Sequence, residues 1–337
     1  MGRRSAPDQL DLFGAGTAGG SPPPRAKGVG PAAVPEEVVA LGRELPAGFR
    51  MGPSSWSFPG WAELVYDRRY PEPRLAREGL AAVARHPLMR AVGLDRTHYA
   101  PVAAAELAVY AAQVPGDFRF LVKAHEALSL ARWPDRPRYG RERGLGNPLF
   151  LDATYAAEEV VAPYVEGLGE KGGALLFQFA PQDLGSSEGF AAELHAFLAA
   201  LPRGPLYAVE LRNRELLTPR YAQALAAAGA VHCVNAHPRM PDVVTQARVA
   251  GVGAGGRPTV VRWLLGRGET YADAGRRFAP FDRLVAEDPP TRRALAHLFR
   301  TALGRGEEVL LTVNNNAEGS APRSMARLAA ELLRGVG

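Results

Sequence analysis

The sequence predicts one α/β domain, an eight-stranded parallel (β/α)8 TIM barrel, preceded by a disordered tail. Two observations carry this prediction. Eight short apolar runs follow residue 48, and stretches of helical composition separate several of them. Almost every run also ends in a charged, amide or aromatic polar residue where the next loop begins. Strands that alternate with helices in this way close into a parallel ring, and the loops after their carboxyl ends converge on one mouth. A chain of 337 residues accommodates one such barrel and a tail without a second domain.

Residues 1–45 are rich in Gly, Ala and Pro and cannot bury enough surface to order themselves, so they read as a flexible tail before a barrel over residues 46–337. Within the tail, Gln9, Leu10, Asp11, Leu12 and Phe13 resemble the pentapeptide by which bacterial replication and repair proteins dock on the sliding clamp. Its three apolar side chains have nothing to pack on in a tail but suit a partner's groove. The alternative is an apolar stub against the barrel floor.

The first apolar run, Arg50 to Ser54, leads into Trp56. The second, Arg90 to Asp95, ends on a carboxylate and is followed by Tyr99 and a helical stretch from Pro101 to Val114. The third, Phe118 to Lys123, precedes His125, Glu126 and a long loop, Leu128 to Phe150. There Arg132, Arg136, Arg138, Arg141 and Arg143 interleave with Trp133 and Tyr139, a pattern suited either to gripping nucleotides or to a plain solvated loop. The fourth, Ala174 to Gln178, precedes a helix from Ser187 to Leu201. The fifth, Leu206 to Arg212, precedes one from Thr218 to Ala228. The sixth, Val231 to Asn235, holds Cys233 mid-strand, where a buried core role is expected, and leads to His237. The seventh, Thr259 to Arg262, ends on a cation. The eighth, Val309 to Asn314, leads through Asn315 to a last helix, Ala321 to Leu333.

Hydrophobic content of 47% and charged content of 22% are ordinary for a globular protein. No apolar stretch approaches the ~20 residues that span a bilayer, and the start lacks a complete export signal, so no membrane association and a cytoplasmic location are expected. A single cysteine excludes disulfides. The net charge of +5 permits nucleic-acid contact without requiring it. Lysine occurs only at positions 27, 123 and 171, so Lys123 at a strand end suggests a need for a compact, titratable ammonium rather than solvation alone.

Alternation along a strand puts Glu210 and Arg212 on one face, the barrel lumen. Glu210 is expected to act as general base, acid or metal ligand with Arg212 holding an anionic group; the alternative is an ion pair that fills the barrel. Asp95, Lys123, His125, Glu126, Gln178, Asn235, His237, Arg262, Asn314 and Asn315 are expected around them. That many polar groups at one rim argue for a cleft that binds something polar. The ligand types suit a divalent metal, but no compact spacing supports one, and any cofactor is left open.

From Met51 to about Met325 the chain resembles the YecE-like family, domain of unknown function 72 (DUF72), through Gly52-Pro53-Ser54-Ser55-Trp56, Trp61, Phe120-Leu121-Val122-Lys123, Leu176 to Pro181, Val209-Glu210-Leu211-Arg212, Arg262, Asn314-Asn315 and Glu318 to Pro322. The resemblance implies an eight-stranded barrel. The chain departs from the family pattern at Gly93 and Asp95, where a glutamate and an asparagine are usual, at His98, which replaces a phenylalanine, and at Leu264, which replaces a histidine.

These readings lead to an expected bacterial hydrolase or lyase for a phosphate-bearing or nucleic-acid substrate, tethered to the sliding clamp. Glu210 and Lys123 are its expected catalytic groups. Trp56, Asp95, Tyr99, His125, Gln178, Arg212, His237, Arg262, Asn314 and Asn315 are expected to bind substrate. Glu210→Gln is then expected to abolish activity with little change in stability. The alternative is a non-catalytic module that binds nucleic acid or a nucleotide in replication or repair.

Overall fold

A computed structural model describes residues 28–253 and 256–334. The clamp-like pentapeptide Gln9–Phe13 lies outside the described residues. Helix Glu36–Glu44 and residues from Gly28 onward, within the stretch grouped with the tail, are among those described.

Eight strands follow in the expected order: β1 (Phe49–Pro53), β2 (Ala91–Leu94), β3 (Arg119–Lys123), β4 (Gly172–Phe179), β5 (Tyr207–Leu211), β6 (Val231–Ala236), β7 (Thr259–Trp263) and β8 (Val309–Val313). They form one sheet in the order β1-β8-β7-β6-β5-β4-β3-β2, and every paired neighbour is parallel. Parallel neighbours need a crossover, and most of the intervening segments are helices packed outside the ring.

The ring nearly closes between β1 and β2. There the backbone N–H of Arg90 donates to the Met51 carbonyl at 2.9 Å. Glycine makes this approach possible, because a Cβ on Gly52 would lie 1.6 Å from the Ala91 carbonyl oxygen. A Cβ on Gly93 would lie 2.7 Å from the Ser54 carbonyl oxygen, so a side chain has no room beside β1 as it stands here.

The lumen is layered as strand alternation requires. Its lower part is apolar and small, with Ala91, Leu121, Ala174, Leu176, Ala208, Cys233, Val260 and Leu310 packed together. Cys233 is therefore core, as its mid-strand position suggested, and burial pushes its thiol up. The main core lies between sheet and helices and carries Phe49, Phe177, Phe179, Tyr221 and Phe299.

Candidate active site at the barrel mouth

Two residues further along each strand, the same inward face turns polar. Lys123, Gln178, Glu210, Asn235, Arg262 and Thr312 stand above the apolar layer, with Asp95 just past the end of β2. Register fixes the central contacts, because Gln178 lies beside Glu210 and Asn235 beside Arg262 across neighbouring strands.

Glu210 is fully buried and both of its oxygens are taken. Oε1 accepts from Arg212 Nε at 2.6 Å, and Oε2 from Arg262 Nη1 at 2.8 Å. Burial opposes its ionisation, but the guanidiniums of Arg212 and Arg262, with Lys123 beyond them, outweigh it and hold the carboxyl at about 2. Arg262 also donates to Gln178 Oε1 at 3.0 Å and stands 4.0 Å from Asp95. Solvent therefore does not reach Glu210. A carboxylate with no free oxygen and so low a pKa is a poor general acid or base at neutral pH, and its two oxygens hold the Arg212 and Arg262 guanidiniums in place.

Lys123 and Asp95 are the charged pair nearer solvent, 3.2 Å apart with side chains 11% and 31% exposed. Burial, reinforced by the Arg262 charge, lowers the pKa of Lys123 against the pull of Asp95 and Glu210. Asp95 remains below the usual carboxylate range, because Lys123 and Arg262 overcome the burial that would raise it. Burial thus loosens the hold of Lys123 on its proton, while Asp95 pulls the other way.

The loop after β3 folds over this rim. Glu126 is buried and accepts from Arg138 Nη2 at 2.7 Å and from the Tyr139 hydroxyl at 3.0 Å. Burial nevertheless raises its pKa. The Arg138 guanidinium lies over the rings of Tyr99 and Tyr139 at 5.4 and 4.6 Å, and Trp133 packs on Tyr139 at 5.4 Å. Arginines and aromatics thus interleave as expected, but much of their contact is with one another.

The remaining expected residues divide. His125 is beside the lid, its Nδ1 paired with the Tyr155 hydroxyl at 2.7 Å, and burial lowers its pKa. Burial, with Arg212 nearby, brings His237 to about 4, so its ring is neutral. Its Nδ1 accepts from the Arg239 backbone N–H at 3.2 Å. Asn314 caps its own turn through Asn316 N–H at 2.9 Å. Trp56 lines a small cavity together with Asp95, its Nε1 donating to the Ala76 carbonyl at 3.2 Å and its ring edge-on to Tyr110. Asn315 is buried as a clip, its Oδ1 accepting from Trp61 Nε1 at 3.2 Å and from Ala321 N–H at 2.8 Å. For Asn315 these contacts occupy Oδ1 only, and its buried Nδ2 has no hydrogen-bond partner. Among the described residues no three His, Cys, Asp or Glu side chains converge as a metal ion would need.

Arg138, His98 and Tyr271 were not among the expected site residues, although the first two stand out in the sequence for other reasons. Arg138 latches the lid; only its place in an arginine-rich loop hinted at this. His98 lies between the Ala124 carbonyl and Glu126, at 3.3 and 3.7 Å, and burial with Lys123 brings it to about 3. Tyr271, 44% exposed, stands with its ring 5.9 Å from that of His237, and no strand-end rule points to it because it begins a helix.

A family model described as "Protein of unknown function DUF72" matches residues 50–336. A solved DUF72 family protein from Enterococcus faecalis is similar at 20% identity and a TM-score of 0.59, covering 85% of this chain and 95% of its own. Another from Thermotoga maritima is similar at 18% identity and a TM-score of 0.56, covering 85% of this chain and 99% of its own. At such identities these likenesses speak to the fold. No curated protein matches the chain.

Proposed function

The chain belongs to the DUF72 family, and from that premise we propose that its barrel mouth is the active site of a cytoplasmic hydrolase or lyase for a phosphate-bearing or nucleic-acid substrate. The observation that carries this reading is Lys123, a partly accessible lysine whose ammonium is disfavoured by burial and by Arg262. Three cations, Lys123, Arg212 and Arg262, face two carboxylates, Asp95 and Glu210, so the mouth keeps an excess positive charge that an anionic substrate would neutralise. Ser54, Asn235 and Thr312 each leave one oxygen unpartnered at this end of the barrel, polar capacity that stability alone does not require.

In this reading Lys123 moves the proton, Asp95 sets its charge, and Arg262 and Arg212 stabilise developing negative charge from positions fixed by Glu210. Gln178, Tyr99, His125 and His237 orient the substrate, and no step is assigned to a metal. A panel of phosphate esters and single-stranded oligonucleotides should reveal turnover that Lys123→Met lowers by a factor of ~10²–10⁴, the usual weight of a general acid or base. Turnover by Lys123→Met equal to the parent's would reject the assignment.

The full occupation of both Glu210 oxygens favours a second reading, a non-catalytic module that grips a nucleotide or nucleic acid. Steeply salt-dependent binding without turnover across the panel would select it. In either case we propose that Gln9–Phe13 tethers the barrel to the sliding clamp. Leu12→Ala with Phe13→Ala should abolish clamp capture in a pull-down, and undiminished capture would remove the tether.

A further inference from the structure

The end of the barrel opposite the mouth carries a cleft of about 430 Å³ that the reading above does not use. Its walls come from the first residues of β1, β3, β4 and β8, from helix Ala162–Leu168 and from the turn before β5. We propose that this cleft is a second binding site, for a small phosphate ester that also carries hydroxyl groups.

Tyr164 lines the cleft and is 3% exposed, yet its hydroxyl has no hydrogen-bond partner. A buried hydroxyl without a partner is uncommon in a stable core, because it loses water and gains nothing. Burial also raises its pKa, so the group is a neutral donor. Backbone at β4 gives way to it: a Cβ on Gly172 would lie 2.6 Å from the Tyr164 oxygen, and one on Gly173 would lie 2.9 Å from Arg119 Cβ.

Three arginines supply the charge, and they are not equally engaged. Arg50 is neutralised by Glu308 at 2.8 Å. Arg119 donates only to backbone carbonyls, those of Gly116 and Phe118 at 2.9 and 3.1 Å. The Arg203 guanidinium is exposed and has no partner among the described residues. Arg119 and Arg203 against Glu170 on the rim leave a positive excess. Guanidinium forks match phosphate oxygens, and a neutral phenol adds a third donor. The cleft exceeds the size of bare phosphate, and Glu170 with the turn carbonyls offers acceptors to hydroxyl groups. Catalysis in this fold belongs to the other end, so the role assigned to this site is binding that reports on a metabolite.

Ribose 5-phosphate, titrated into the full chain by calorimetry and by the amide signals of Gly172 and Gly173, tests the site. The signals should shift saturably, inorganic phosphate should compete, and Arg119→Met with Arg203→Met should weaken binding at least about tenfold. Tyr164→Phe should weaken it about fivefold while leaving the melting temperature unlowered, since the oxygen it removes has no partner. Unmoved glycine signals at high ligand, or parental affinity in the double arginine variant, would overturn the proposal. Lys123→Met should leave this binding intact, so failure here and failure of the mouth reading are separable.

Discussion

Removing the charge of Glu210 leaves Arg212 buried without its counter-ion and Arg262 with only Asp95, 4.0 Å away. Glu210→Gln is therefore expected to destabilise the protein by ~3–5 kcal/mol, seen as a lower urea midpoint, rather than to leave stability nearly unchanged as the strand-end reading alone suggested. An unchanged midpoint would mean that the ion-pair network is not structural. The acid side follows from the same groups. Glu210 titrates at about 2 in the fold against 4.5 ordinarily, so its contribution is present above 4.5 and is lost as pH falls from there through 2. The shift corresponds to roughly 3 kcal/mol at ~1.4 kcal/mol per unit. His86, His232 and His237 sit at about 4 against 6.5, because burial disfavours their charged form. The unfolded chain then binds more protons below 6.5, and stability should already decline between pH 6.5 and 4. Urea midpoints across that range measure this directly, and a flat profile would contradict it.

At the scale of elements, two features deserve separate tests. The β1–β2 seam depends on Gly52, where a methyl would meet backbone rather than a flexible side chain. Gly52→Ala should cost ~3 kcal/mol or more, at or beyond the upper end of core overpacking, whereas Gly116→Ala, with nothing within 4 Å, should stay within about half a kcal/mol. Equal denaturation midpoints for the two variants would show that the seam relaxes. The lid after β3 is pinned at its base by Asn147, whose Nδ2 donates to the Ala127 and Leu130 carbonyls at 2.6 Å, and at its tip by Arg138 and Tyr139 on Glu126. Arg138→Ala should raise amide exchange over residues 132–146 while leaving the strands protected, because only the tip contact is lost. Protection unchanged in that segment would mean that the latch does not hold it.

For the molecule as a whole, the absence among the described residues of any helix long and apolar enough to cross a membrane agrees with the composition. The sequence by itself determined the eight strands, their parallel order and the gathering of Asp95, Lys123, Gln178, Glu210 and Arg262 at one end. Apolar period, turn composition and strand alternation are local properties, and a ring brings every strand end to the same rim. Tertiary structure decided which polar groups meet solvent and which meet each other. Glu210 is consumed by Arg212, just past its own strand, and by Arg262 two strands away, Asn315 Oδ1 is taken by Trp61 more than two hundred residues away, and Trp56 Nε1 by a helix carbonyl. It also decided that Gly93 has no space for a side chain and that Tyr164 keeps a free hydroxyl at the far end. Pairing and burial depend on distances between segments remote in the chain, which no local pattern encodes.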